Sequence, residues 1–107
     1  MDPGCGLARG GLLPLDADAF GGLTQALKGT PSEVAKLDMC RSVLRSSALT
    51  ALQLGALMDF FDSEITKLEL ARAAAPKLTN PKSAFGLATK FRSSPKRQSF
   101  TQLMAAQ

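Results

Sequence analysis

Residues 49–70, LTALQLGALMDFFDSEITKLEL, constrain the fold more than any other part of the chain. In their first half, apolar side chains recur at the three- and four-residue intervals of a helix, at Leu49, Leu52, Ala56, Leu57, Phe60 and Phe61. Leu54 and Met58 widen this stripe, so that the helix is apolar on most of its circumference. Because a helix of that kind is normally surrounded by other elements, we expect it at the centre of the molecule.

A second helix is predicted directly after the first. Asp62, Ser63 and Glu64 are typical of a helix N-terminus, where Asp62 or Ser63 can cap and Glu64 adds favourable negative charge. Apolar residues then follow at helical spacing, at Ile65, Leu68, Ala71 and Ala75. Pro76 ends this helix, since proline cannot donate a backbone hydrogen bond. Residues 49–75 therefore predict two helices separated by a short turn.

Polar residues that can cap a helix mark four more helix starts, at Asp16 or Asp18, Thr30, Asn80 and Ser94. The clearest of them is Thr30, with Pro31 at the first helical position and Glu33 closing a capping box. Asn80 and Ser94 are likewise followed by proline. With a start at Thr50 for the central helix, these signals predict six short helices.

The predicted caps recur along the chain. They are Asp18, Thr50 and Asn80 for the first helix of each pair, and Thr30, Asp62 and Ser94 for the second. Side chains recur as well, since Val34 and Leu37 match Ile65 and Leu68 at an offset of 31 residues. Such a period predicts three helical hairpins that bury their apolar faces by stacking. An unrepeated six-helix bundle with helices of similar length is the alternative.

The predicted fold class is therefore all-α, with six short helices as three antiparallel hairpins in a compact bundle or a short right-handed helical stack. Residues 16–107 are expected to form a single helical domain. Residues 1–15, rich in glycine and proline, are expected to be a flexible N-terminal leader. On the helical stripes, apolar residues expected in the core include Val34, Leu52, Ile65, Phe85, Phe91 and Phe100.

The residue types that catalysis and metal binding require are scarce. The chain has no histidine, the commonest general base and metal ligand. Cys5 and Cys40 are too few for a disulfide framework or a zinc site, and they indicate two reduced thiols in a cytoplasmic protein. Asp59, Asp62 and Glu64 form an acidic cluster that fits helix capping or a basic partner. We expect no enzymatic activity, metal or cofactor, and no transmembrane segment, because no apolar run approaches about 20 residues.

Charge is divided unevenly along the chain. Residues 1–69 carry six basic and nine acidic side chains, whereas residues 70–107 carry seven basic and no acidic ones. A basic end favours an anionic partner, first an acidic protein surface and second nucleic acid or an anionic lipid layer. The candidate binding residues for that partner are Lys77, Lys82, Lys90, Arg92, Lys96 and Arg97. A solvated basic end without a partner is the alternative.

Ser94 begins the sequence Ser-Pro-Lys-Arg, which fits a proline-directed phosphorylation site. A phosphate on Ser94 would lie at a helix N-terminus among Arg92, Lys96 and Arg97, where its charge is favoured. Ser94 is therefore a candidate for regulatory phosphorylation. A plain helix cap followed by proline explains the same residues.

Several short motifs occur together in the second half of the chain. They are Phe61-Asp62-Ser63 before Lys67-Leu68-Glu69, Pro76 at the end of that helix, and Asn80-Pro81 before Phe91. With these motifs and Gln53, the chain from about Phe20 onwards resembles a helical family catalogued as domain of unknown function 4476. Members commonly have Asp-Pro where this chain has Asn80-Pro81. The resemblance implies an all-helical module, often appended to other segments, with no assigned enzymatic activity.

These features predict a non-catalytic protein-interaction module with a basic C-terminal end. The partner is expected to dock between helix pairs or on that end. Binding of nucleic acid or of an anionic membrane surface through the basic C-terminal third is the alternative, and it predicts affinity that falls steeply with salt concentration.

Overall fold

The computed structural model describes Arg9 and residues 11–107. Its helices are α1 (Ala17–Lys28), α2 (Glu33–Leu44), α3 (Ala51–Met58), α4 (Glu64–Ala74), a short 3-10 turn (Ala75–Lys77), a longer 3-10 helix (Pro81–Lys90) and α5 (Ser94–Ala105). The described residues contain no strand, only isolated bridges. The predicted all-α fold with six main helices is confirmed.

The helices pack in pairs and in rows. Within pairs, α1 lies against α2, α3 against α4, and the 3-10 helix against α5. Between pairs, α4 lies between α2 and α5, and α3 contacts the 3-10 helix. We call α2, α4 and α5 the second helices of the three pairs. The antiparallel geometry within each pair stays a prediction.

The central helix predicted from the first half of residues 49–70 is α3, and it is the most buried of the described helices. On α3, the buried residues include Leu54, Gly55, Leu57 and Met58. Gly55 permits a close approach to the 3-10 helix, because a Cβ atom on it would lie 2.9 Å from Cδ2 of Leu87. The core around α3 is completed by Phe61, Leu70, Leu78, Phe91, Phe100 and Met104.

Four residues expected in the core are exposed. Val34 and Ile65 each occupy the second position of a helix, and both side chains are 67% exposed. In a helix the Cβ atom tilts toward the N-terminus, so these first-turn side chains project toward the start of their own helix and into solvent. Leu52, at the second position of α3, is exposed in the same way. Phe85 is 39% exposed because three residues per turn in a 3-10 helix align Ala84 with Leu87 and rotate Phe85 away.

The helix caps differ in part from those predicted. Asp16 caps α1 and Thr50 caps α3 in a complete capping box with Gln53, as expected. The second helices begin at the serines Ser32, Ser63 and Ser93. Ser63 is one of the two caps predicted for α4, whereas Ser32 lies two residues after Thr30 and Ser93 one residue before Ser94. Thr30, Asp62 and Ser94 are therefore not the cap positions. The observed caps are 31 and 30 residues apart, which brings the cap period into line with the side-chain offset.

Burial changes systematically along the row of second helices. The residues five and eight positions after the serine cap are buried in α2, as Leu37 and Cys40, and in α4, as Leu68 and Ala71. In α5 the equivalent residues, Gln98 and Thr101, are exposed. Apolar residues at these positions therefore give way to polar ones in the last helix. It follows that this side of α5 faces solvent at one end of the row of second helices.

The segment before α1 contacts the body of the domain. The Leu15 N–H group donates to the carbonyl of Ala48, and the Ala48 N–H group donates to the carbonyl of Leu13. The guanidinium of Arg9 donates to the Leu78 carbonyl at 2.8 Å. The predicted flexible leader, residues 1–15, falls largely on residues 1–8 and 10, which lie outside the described residues together with the thiol of Cys5.

Candidate functional site

A carboxylate from the first pair caps a helix of the second pair. Glu33, the first residue of α2, accepts hydrogen bonds from the N–H groups of Asp62 at 2.6 Å and Ser63 at 3.2 Å. It also accepts one from the Thr66 hydroxyl at 2.7 Å. The Thr66 hydrogen bond, with those backbone N–H groups, lowers the pKa of Glu33. Glu33 was expected to close a capping box on its own helix, and instead it caps α4.

The same contact recurs between the second and third pairs. Glu64, the first residue of α4, accepts hydrogen bonds from the N–H groups of Ser93 at 3.2 Å and Arg92 at 2.9 Å. These bonds, first that of Ser93, lower the pKa of Glu64. We call the contacts made by Glu33 and Glu64 the two glutamate clamps. Together they place the N-terminal ends of α2, α4 and α5 side by side.

Asn80 also caps a helix other than the one predicted. Its side-chain oxygen accepts a hydrogen bond from the Ala51 N–H group at 2.8 Å, at the start of α3. It makes no capping hydrogen bond to the 3-10 helix that follows it. Asn80 occupies the N-cap position of the 3-10 helix, with Pro81 at the first helical position, as predicted, but its side chain binds the Ala51 N–H group of the adjacent pair instead of its own helix.

Charged residues of both signs line a cleft at the junction of the second and third pairs. It lies where α3 ends, α4 begins, and the 3-10 helix leads into α5, and its volume is about 430 Å³. We call it the mixed-charge cleft, and its lining residues are Asp59, Phe61, Asp62, Glu64, Lys67, Lys90 and Arg92. The acidic cluster noted in the sequence thus meets two of the candidate basic residues in one place.

Some of these charges are already used within the fold. The Lys90 ammonium forms a 2.6 Å ion pair with Asp59. The Glu64 carboxylate is held by the clamp to α5. Among the described residues, no hydrogen bond or ion pair engages the side chains of Asp62, Lys67 or Arg92. The cleft therefore presents two basic groups and one acidic group to solvent.

The structure separates Lys77, Lys82 and Arg97 from the cleft. Lys96, by contrast, lies close enough to the cleft residue Glu64 for its charge to help lower the pKa of that carboxyl group, after the hydrogen bond from the Ser93 N–H group. Lys77 lies in the 3-10 turn, and Lys82 is exposed at the start of the 3-10 helix. Arg97 lines a different groove on α5, of about 400 Å³, with Gln98, Thr101 and Gln102. Its Nε–H group donates to the Phe91 carbonyl at 2.5 Å. Only Lys90 and Arg92 of the six are brought together in the mixed-charge cleft.

Sequence reasoning missed Lys67 as a site residue and missed the meeting of residues 59–64 with residues 90–92. A signal was present, because Phe61-Asp62-Ser63 recurs as Phe91-Arg92-Ser93. In a stack of repeats, equivalent residues of neighbouring repeats lie side by side. That rule would have placed Asp62 close to Arg92.

Cys40 and Ser94 differ sharply in access to solvent. Cys40 is 1% exposed, and burial raises the pKa of its thiol to about 11. It is a free thiol in an apolar setting, which suits packing better than nucleophilic chemistry.

Ser94 is exposed at the first position of α5, immediately after Arg92 and Ser93, whose N–H groups bind Glu64. A phosphate there would also meet the negative charge of Glu64.

The described part of the chain shows neither a metal-binding cluster nor a membrane-spanning helix. No three Cys, Asp or Glu side chains there are grouped so as to hold a metal ion. Among the helices of Arg9 and residues 11–107, none has the length and hydropathy needed to cross a bilayer.

Comparison with known proteins gives one finding. No curated protein and no solved structure matches the chain. A family model described as a domain of unknown function, DUF4476, matches residues 15–104. This match runs from just before α1 almost to the end of α5, and so covers all three helix pairs and the mixed-charge cleft. The chain therefore belongs to the DUF4476 family.

Proposed function

We propose that this protein is a non-catalytic protein-interaction module and that a segment of its partner docks in the mixed-charge cleft. One observation supports the proposal above the others. The side chains of Asp62, Lys67 and Arg92 lie on one cleft, and no described residue pairs with them. Charged groups that the fold leaves unpaired on a concave surface are suited to recognition of a complementary partner.

The charge of the cleft favours a protein over a polyanion. Asp59, Asp62 and Glu64 line it together with three cations, so its formal charge is balanced. A phosphate backbone approaching Arg92 would meet this acidic cluster, whereas a peptide can place groups of both signs. The predicted acidic surface of a partner would engage Lys67 and Arg92.

Binding of nucleic acid or an anionic membrane surface is the second candidate function. It is supported by the absence of acidic side chains from residues 70–107. Lys77, Lys82 and Arg97, which lie outside the cleft, would carry it together with Lys96. The ion pair of Lys90 with Asp59 weakens this candidate, since it neutralises one of the six proposed cations.

The proposal places the module in the cytoplasm. The free, buried thiol of Cys40 supports a reducing compartment. Phosphorylation of Ser94 remains part of the proposal as a regulatory step, supported by the exposure of its side chain.

Selection of random displayed peptides on the immobilised protein tests the main proposal. The affinity of recovered peptides is then compared for wild type, Arg92→Glu and the matched control Arg72→Glu, which reverses an exposed charge on α4 outside the cleft. We expect Arg92→Glu to weaken binding by about tenfold or more and Arg72→Glu to leave it unchanged. Failure to recover any binder, or equal loss in both variants, overturns the proposal.

The second candidate is tested by titrating DNA, RNA and anionic liposomes at several salt concentrations. Phosphate binding predicts a linear fall of the logarithm of affinity with the logarithm of salt concentration. The double variant Lys82→Glu/Lys96→Glu should then lose binding. Absent or salt-independent binding removes this candidate.

A further inference from the structure

We propose that the mixed-charge cleft receives an acidic side chain of the partner segment, whose carboxylate bridges Lys67 and Arg92. This inference rests on the proposed function and specifies its chemistry. The unit recognised is one aspartate or glutamate within a peptide that is otherwise neutral or basic.

The two basic residues flank a common point. Lys67 lies three residues after Glu64 and so projects from the same side of α4. Arg92 donates its backbone N–H group to the Glu64 carboxylate at 2.9 Å. After the hydrogen bonds from the N–H groups of Ser93 and Arg92, the charges of Lys96 and Lys67 also help to lower the pKa of Glu64, although Glu64 forms no ion pair with a described residue. Lys67 and Arg92 thus line the same cleft beside one fixed carboxylate.

The fold does not satisfy this pair of cations internally. Lys90, the third cation of the cleft, is neutralised by Asp59 at 2.6 Å. Glu64 accepts the hydrogen bonds from the N–H groups of Arg92 and Ser93 through a single oxygen, Oε1. An incoming carboxylate would accept charge-assisted hydrogen bonds from the ammonium of Lys67 and the guanidinium of Arg92. Arginine can bind such a group through two parallel hydrogen bonds.

Asp59, Asp62 and Glu64 form an acidic wall of the cleft, and this wall favours an anion of low charge. A single carboxylate brings one negative charge, which Lys67 and Arg92 together exceed. A phosphate group or a run of phosphates brings more, and Asp59, Asp62 and Glu64 would repel it. Asp62, exposed and unpaired by any described side chain, can in turn receive a lysine or arginine of the same segment. The preferred ligand is therefore a peptide with an acidic residue near a basic one.

The composition of peptides selected on the wild-type protein tests this inference. We expect an aspartate or glutamate at one position of the recovered motif. Replacing that residue by its amide should lower affinity for the wild type about tenfold. The same replacement should have no effect on the double variant Lys67→Gln/Arg92→Gln. A matched control, Arg72→Gln/Lys82→Gln, removes two exposed charges outside the cleft and should respond to the replacement as the wild type does.

The outcomes separate the inference from the proposed function. Peptides whose binding depends on Arg92 but whose sequences share no acidic position overturn the inference of a bridging carboxylate. They leave the proposal of a docking cleft in place. Recovery of no peptide that depends on the cleft overturns both. Displacement of a bound peptide by inorganic phosphate or by short DNA at submillimolar concentration also overturns the inference, because it shows that the acidic wall does not select against phosphate. Circular dichroism of every variant establishes that it is folded.

Discussion

The hydroxyl of Thr66 on α4 donates a 2.7 Å hydrogen bond to the carboxylate of Glu33 on α2. The same carboxylate accepts hydrogen bonds from the N–H groups of Asp62 and Ser63 at the start of α4. The end of one helix is thus satisfied by a residue from the preceding pair, about thirty positions earlier in the chain.

Replacement of Glu33 by alanine should destabilise the protein by about 1–2 kcal/mol, the range typical of a lost helix cap. The free N–H groups of Asp62 and Ser63 would then depend on water. Urea denaturation followed by circular dichroism measures the change. Asp38→Ala is the matched control, because Asp38 is an exposed carboxylate on the same helix with no hydrogen bond or ion pair to a described residue. An equal loss in the two variants would contradict the role of the clamp.

Stability should fall on acidification below the ordinary glutamate pKa of 4.5. The pKa values of Glu33 and Glu64 are lowered in the folded state, so the unfolded chain binds more protons in this range. The stabilisation is therefore present above the unfolded pKa and is lost as pH falls through the folded pKa. Urea titrations across this range measure the loss. The double variant Glu33→Gln/Glu64→Gln should show a shallower dependence on pH, and an unchanged slope would refute the assignment.

Alanine should act differently at two helical glycines. Gly22→Ala on α1 should stabilise the protein by about 1 kcal/mol, since alanine favours helix and its Cβ would meet no atom within 4 Å. Gly55→Ala should gain less or lose stability, because its Cβ would lie 2.9 Å from Leu87 Cδ2. Thermal unfolding of both variants measures the difference. The double variant Gly55→Ala/Leu87→Ala, which removes the close atom, tests whether that contact causes it.

Cys40 should be unreactive in the folded protein. Its thiol is buried, and with a pKa of about 11 it is protonated at neutral pH. In a Cys5→Ser background, dithionitrobenzoate should modify the remaining thiol only after denaturant is added. Rapid modification of the native protein would show an accessible thiolate and would contradict the burial of Cys40.

The protein should self-associate through the exposed face of α5 when that face is made apolar. Gln98 and Thr101 occupy the positions that Leu68 and Ala71 bury in α4, and they lie at a shallow groove. The double variant Gln98→Leu/Thr101→Leu should therefore self-associate more strongly than the wild type in sedimentation equilibrium. The control Gln25→Leu/Ser42→Leu adds the same two leucines at exposed sites on α1 and α2. Equal association of both variants would deny that the α5 face is special.

Local sequence patterns located the helices well and their caps less well. Asp16 and Thr50 cap the helices that directly follow them, so inspection of neighbouring residues was sufficient. Glu33 and Asn80 were correctly recognised as capping residues, but each was assigned to its own helix. Their actual targets belong to adjacent pairs, and only tertiary packing determines which pair is adjacent.

The mixed-charge cleft was only partly predictable for the same reason. The acidic cluster and the cations Lys90 and Arg92 were both visible in the sequence, yet they were interpreted as separate features. Their meeting depends on the stacking of the second and third pairs. The exposure of Phe85 depends on 3-10 rather than α geometry, and a three-residue and a four-residue period are hard to distinguish over ten residues.

The two glutamate clamps also bear on how the molecule comes apart. A repeat array whose units touch only through side-chain packing can lose its end units one at a time. Here the release of α2 would strip the hydrogen-bond acceptor from the start of α4, and the release of α4 would do the same to α5. Loss of the first or the third pair therefore breaks one clamp and loss of the second pair breaks both, so the three pairs should unfold as one cooperative unit.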